Sequence, residues 1–112
     1  MQNIITEQLN LDKGLVKNLL NDYEYQSESI TIKTISKNSA GSIVLFILDK
    51  EQGLIEHAAS SKALAYLLEG EINFTISGQE YKLKKGDILT LPAKVPHSLI
   101  ASEKAKMLLV II

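Results

Sequence analysis

The sequence predicts a single all-β domain, an antiparallel sandwich or jelly-roll barrel. Three observations carry that expectation. From Ser29 onward apolar and polar residues alternate with a period of two, as half-buried strands do. Turn residues interrupt the pattern at close intervals, at Asn38-Ser39-Ala40-Gly41, Ser77-Gly78 and Gly86-Asp87. The segments between them are short and number eight or nine, the spacing of sandwiches and barrels.

The composition agrees. A chain of 112 residues is one domain with one modest core. Hydrophobic content of 46% against 22% charged describes a globule rather than a disordered chain. Twelve basic and thirteen acidic residues leave a net charge of -1, with scattered lysines and few aromatics, so no nucleic-acid partner is expected. The absence of cysteine excludes disulfides and thiol chemistry and fits a reducing compartment. The longest apolar runs, Ile43 to Leu48 and Met107 to Ile112, are too short to span a bilayer. The first residues lack the basic and apolar regions of a signal peptide. The expectation is a cytoplasmic protein with no membrane association.

Residues 1–28 read as an N-terminal extension and residues 29–112 as the barrel. Residues 1–8 suit either a short strand or a loose tail. Leu9, Leu11, Leu15, Leu19 and Leu20 recur at helical spacing, with Asp12 as an N-cap, and predict a short helix outside the barrel. Ile30 and Ile32 alternate with polar neighbours, then Ile35 shifts phase, which signals a bulge or strand end. Ile43 to Leu48 is continuously apolar, as a strand covered on both faces would be. Leu54 to Ala59 is a strand bearing His57, and Lys62 to Glu69 is the next, with Ala63, Ala65 and Leu67 on one face. Glu71 to Lys85 forms a hairpin about Ser77-Gly78. Ile88 to Leu91 follows, the Pro92 to Pro96 loop delivers His97, and Lys106 to Ile112 closes the sheet.

The stretch Gly53–Ala101 has a two-part form. Gly53 to Gly70 and Gly86 to Ala101 each contain a glycine turn, a strand and one histidine, and His57 and His97 are the only histidines. This arrangement resembles the cupin family, through Gly53, Glu69-Gly70, Gly86-Asp87, Pro92, Pro96 and His97. The resemblance implies a cupin jelly-roll (double-stranded β-helix) barrel. In that family two histidines and a glutamate of the first motif join the histidine of the second to hold a divalent metal. Here His57 takes the first histidine position, Ala59 the second and Ala63 the glutamate position. Lys94 replaces a motif glycine and Ala101 the final asparagine. The resemblance thus implies the barrel and its pocket without a tightly held metal; any divalent metal would rest on His57 and His97. It also implies a homodimer.

The residues allow several chemistries. Ser60, Ser61 and Ser98 lie near the histidines in sequence, but no acid is placed to orient either ring as a triad requires. Glu56 adjoins His57 and points to the opposite face of its strand. Glu69 and Glu71 flank Gly70 and are expected to be solvated. A histidine could serve as a general acid or base, or as a hydrogen-bonding contact to a ligand. His57, His97, Ala59 and Ala63 together outline an apolar pocket with two polar groups, the usual form of a small-molecule site. The expected function is small-molecule binding, with the catalytic residues unassigned. A metal-dependent enzyme of oxygenase or isomerase type, using non-motif ligands beside His57 and His97, and a sensor or regulatory module are the alternatives.

Overall fold

The computed structural model describes residues 3–9 and 16–112. They form eight strands: β1 (Asn3–Gln8), β2 (Ser29–Asn38), β3 (Gly41–Leu48), β4 (Gly53–His57), β5 (Ala63–Ile76), β6 (Gln79–Lys84), β7 (Ile88–Leu91) and β8 (His97–Ile111). The described residues contain no helix, and so none long and apolar enough to cross a membrane. Much of the predicted helix falls on residues 10–15, outside the described residues; residues 16–28 are turns and extended chain.

Two long strands organise the barrel. β5 and β8, of 14 and 15 residues, run antiparallel along their whole length, from Ala63 opposite Ile111 to Ile76 opposite His97. The start of β5 also pairs with β7 and its end with β6. The end of β8 pairs with β3 and its start with β4. One strand pair therefore belongs to two layers, β1-β2-β3-β8-β5-β7 and β4-β8-β5-β6. Their inner faces meet in a single core, with Phe46, Ala65 and Met107 from the first layer and Phe74, Leu83 and Leu99 from the second.

The expected break between a strand at Lys62 to Glu69 and a hairpin from Glu71 is a bend within β5. Gly70 has φ 85° there, and a Cβ on it would lie 2.0 Å from the Lys104 carbonyl oxygen. Only glycine combines that left-handed backbone with so close an approach. The register against β8 shifts repeatedly between Leu67 and Ile72. Inward residues change from Ala63, Ala65 and Leu67 to Ile72 and Phe74, so the apolar alternation changes phase and reads as two segments.

The remaining strand features follow the pattern. β2 shifts register between Thr34 and Ser36, at the phase change of Ile35. Val44 to Leu48 are all buried, as their continuous apolarity predicts, but Ile43, the first residue of that run, is 37% exposed. Ser77 and Gly78 have φ 49° and 82°, both positive as in a type I′ hairpin turn. β1 is a strand, and it lies parallel to β2 from Asn3 opposite Ser29 to Gln8 opposite Thr34.

Residues 16–28 cross the outer face of the first layer, held by polar contacts. The Lys106 ammonium donates to the carbonyls of Leu20 (2.5 Å) and Tyr23 (2.7 Å). The Tyr25 hydroxyl donates to the Glu69 carboxylate at 2.6 Å. Burial, reinforced by that carboxylate, pushes the Tyr25 phenol well above its ordinary pKa. Lys33 pairs with Glu7 and lies 5.0 Å from the centre of the Tyr23 ring. The expectation that Glu69 and Glu71 are solvated is corrected here. Glu69 holds the crossing segment. Glu71 accepts a hydrogen bond from the Ser102 hydroxyl at 2.9 Å and pairs with Lys82 at 3.4 Å. These contacts, Ser102 foremost, keep the Glu71 carboxyl below the usual range.

Candidate functional site at the barrel mouth

Two loops join the layers at one end of the barrel. Residues 58–62 lead from β4 into β5, and residues 92–96 lead from β7 into β8. The Lys94 amide donates to the Ala59 carbonyl at 2.7 Å, tying the loops together. Lys94 has φ 64°, the left-handed region that glycine favours. The backbone conformation of the motif glycine thus persists with a lysine in its place.

His57 ends β4 and His97 begins β8, and they are direct register partners. The local count of residues makes this so. Leu54 faces Leu99 and His57 faces His97, so three steps along β4 match two along β8. A strict period of two would put Leu54 and His57 on opposite faces. The bulge absorbs one residue and keeps the histidines on a common face. Their ring centroids are 4.4 Å apart with the planes at 62°, an edge-on arrangement. His97 is 6% exposed, whereas His57 is open to solvent.

Each ring is oriented by its own backbone. His57 Nδ1 lies 2.9 Å from the Ile55 carbonyl and His97 Nδ1 lies 3.1 Å from the Val95 carbonyl. A carbonyl oxygen only accepts, so each Nδ1 carries the hydrogen. In the neutral rings both Nε2 atoms are left with a lone pair. The apolar Ile76 pairs with His97 on the β5 side, and Ala63, at the far end of the loop that follows His57, lies buried between Leu91 and Ile111 in the other layer.

Of the predicted pocket residues, the fold brings His57 and His97 together and turns Ala63 into the core near the same end. Ala59 differs from expectation. β4 stops at His57, so Ala59 is an exposed loop residue and does not share the inward face of that strand. Ser60 and Ser61 are exposed in the same loop, and Ser98 points away from the face that His97 shares with Leu99. Among the described residues no three His, Cys, Asp or Glu side chains form a metal-binding group. The donor set here is two imidazoles, short of the family's four ligands.

Two features escaped the sequence reading. Lys106 looked like the polar start of an apolar closing strand, yet it holds residues 16–28 in place. A groove of about 730 Å³ runs over the outer face of the second layer, past Ile55, Asn73, Thr75, Ser98 and Ile100. Ile55 there is 82% exposed. An isoleucine in a strand normally signals burial, and the bulge beside it removes that guarantee.

The family model for the cupin domain matches residues 44–112, more than half of the chain. A conserved protein of unknown function from Streptococcus pyogenes has a similar structure, with TM-score 0.85 and 28% identity over 93% of this chain and 91% of its own. A cupin superfamily protein from Desulfitobacterium hafniense matches with TM-score 0.84 and 22% identity over 93% of this chain and 95% of its own. A cupin 2 conserved barrel domain protein from Leptotrichia buccalis matches with TM-score 0.79 and 31% identity, over 86% of this chain and 47% of its own. No curated protein matches the sequence.

Proposed function

Because the chain belongs to the cupin-domain family, we propose that it binds a small molecule at the barrel mouth, against His57 and His97, without a tightly held metal. The observation that carries this reading is the in-register histidine pair with both Nδ1 atoms bonded to carbonyls. The two Nε2 atoms are then left free to meet a ligand, with the apolar Ile76 opposite His97. A ligand suited to them offers a hydroxyl or N–H donor on an apolar body. The donor set of two imidazoles supports the metal-free part of the reading, since a closed site normally needs three or four protein donors.

A thermal-shift screen of small alcohols, amides and hydroxy acids tests the proposal. Compounds that stabilise the parent should lose their effect in the His57→Gln, His97→Gln double variant. Hits that survive both substitutions would place the ligand elsewhere. The second reading is a metal-dependent enzyme, favoured by the same pair of Nε2 lone pairs, which suit a transition metal. Elemental analysis giving about one equivalent of metal per tag-free chain would select it, because a filled catalytic site holds one ion.

The protein is further proposed to be a homodimer. The exposed Ile55 and Ile100 on the outer face of the second layer support a pairing of sheets there. An Ile55→Asp variant should then elute as a monomer in size-exclusion chromatography with light scattering.

A further inference from the structure

We propose that a second site, for a small organic ammonium, lies between β1, β2 and the segment that crosses them. The cavity there measures about 360 Å³. Thr31 and Lys33 form its floor, Glu7 one side, and Asp22, Tyr23 and Glu24 part of its roof. It is separate from the barrel mouth. Ile30 and Ile32 face the core, so Thr31 and Lys33 face outward on the first layer, whereas His57 and His97 belong to the second.

The first support is an orphaned hydroxyl. Thr31 is 2% exposed, lines the cavity, and its Oγ1 has no hydrogen-bond partner among the described residues. Buried polar atoms are nearly always partnered, and each exception calls for an explanation. A valine would fill the same volume without stranding an oxygen. The hydroxyl makes sense as an acceptor waiting for a donor that enters the cavity.

The second support is the charge of the walls. Glu7, Asp22 and Glu24 place three carboxylates around one ammonium, that of Lys33. Lys33 is already engaged by Glu7 and by the Tyr23 ring. Asp22 accepts from the Asn18 amide at 2.7 Å, and Glu24 has no ion-pair partner among the described residues. A positive guest is therefore favoured over an anion, for which no uncommitted cation lines the wall among the described residues. Its N–H groups would donate to Thr31 Oγ1 and Glu24, a charge-assisted pairing. The volume suits a short diamine or amino alcohol.

Isothermal titration of the full chain with 1,4-diaminobutane tests the site, with glycerol as a neutral probe and potassium chloride as an ionic-strength control. The parent should bind the diamine saturably. Thr31→Val and Glu24→Gln should each weaken binding at least tenfold, while His57→Gln and Thr31→Ser leave it within twofold. Absence of saturable binding, equal affinity in Thr31→Val, or a response matched by glycerol or by salt would overturn the proposal. If Thr31→Val fails to fold, Glu24→Gln decides the matter, because that residue is exposed on the crossing segment.

Discussion

Lys106 points its ammonium at the Tyr23 carbonyl, 2.7 Å away, from a side chain that is 2% exposed. It belongs to β8, while Tyr23 lies between β1 and β2 in sequence. The contact joins the ends of the chain across the outer face of the first layer. A charged donor buried there is held by backbone carbonyls and by the Tyr25 ring 5.1 Å away.

Replacing Lys106 by methionine keeps the apolar stem and removes the donor. Two part-buried carbonyls then lose a charged partner, a loss of about 2 kcal/mol. Urea unfolding should register the loss, and hydrogen exchange should show residues 16–28 opening while β3 and β8 stay protected. Unchanged protection of that segment would mean that apolar contacts alone hold it.

Gly70→Ala should be among the most damaging substitutions in the protein. A methyl group would collide with the Lys104 carbonyl at the bend shared by β5 and β8. We expect at least about 3 kcal/mol of destabilisation. Gly78→Ala has a similar φ of 82° but nothing within 4 Å, so its cost should be about 1–2 kcal/mol, the backbone penalty alone. Denaturation midpoints of the two variants give the comparison; equal losses would count against the close approach as the cause.

The two histidines should separate stability from binding. His97→Ala removes a buried ring bonded to Val95 and should lower stability by about 2 kcal/mol. His57→Ala removes an exposed ring and should stay within about 0.5 kcal/mol. Both should weaken the ligand found in the thermal-shift screen.

Alkali should loosen the crossing segment through Tyr25. Its phenol titrates higher in the folded protein than in the unfolded chain. The folded state therefore keeps the proton while the unfolded state releases it. That contribution to stability is complete below about pH 10 and declines as the pH rises towards the folded value. Tyr25→Phe should be less stable at neutral pH by about 1.5 kcal/mol, from the lost bond to Glu69. Its stability should fall less steeply above pH 10. Parallel curves for the two proteins would show that the phenol does not couple to folding.

Acid should act through Asp49. Its carboxylate accepts from the Glu28 amide at 2.7 Å and the Lys50 amide at 2.9 Å, and these bonds, Glu28 first, hold its pKa below the ordinary value. A depressed folded pKa means stability that is present above about pH 4 and lost as the pH falls through the folded value. Asp49→Asn should flatten that part of the acid unfolding curve. An unaltered slope would assign the acid sensitivity to other carboxylates.

Period-two alternation, turn residues and the ordered spacing of Gly53, Gly70, Gly86, Pro92 and His97 were enough to read the strands and the barrel from the chain alone. These are local properties: a pleat alternates its faces, and turns need residues that tolerate positive φ. The two histidines could be named in the same way. Their meeting in register could not, because it depends on one extra residue in β4, and a bulge becomes visible only against the strand it pairs with. The bend at Gly70 was hidden for the same reason, as its phase change resembles a strand end until β8 is laid beside it. Lys106, Glu69 and Thr31 were the least legible. Each reads as an ordinary polar strand residue, and each owes its role to residues 16–28 folding back over the outer face of the first layer. Burial by a distant segment is a tertiary property, and no local pattern of residues encodes it.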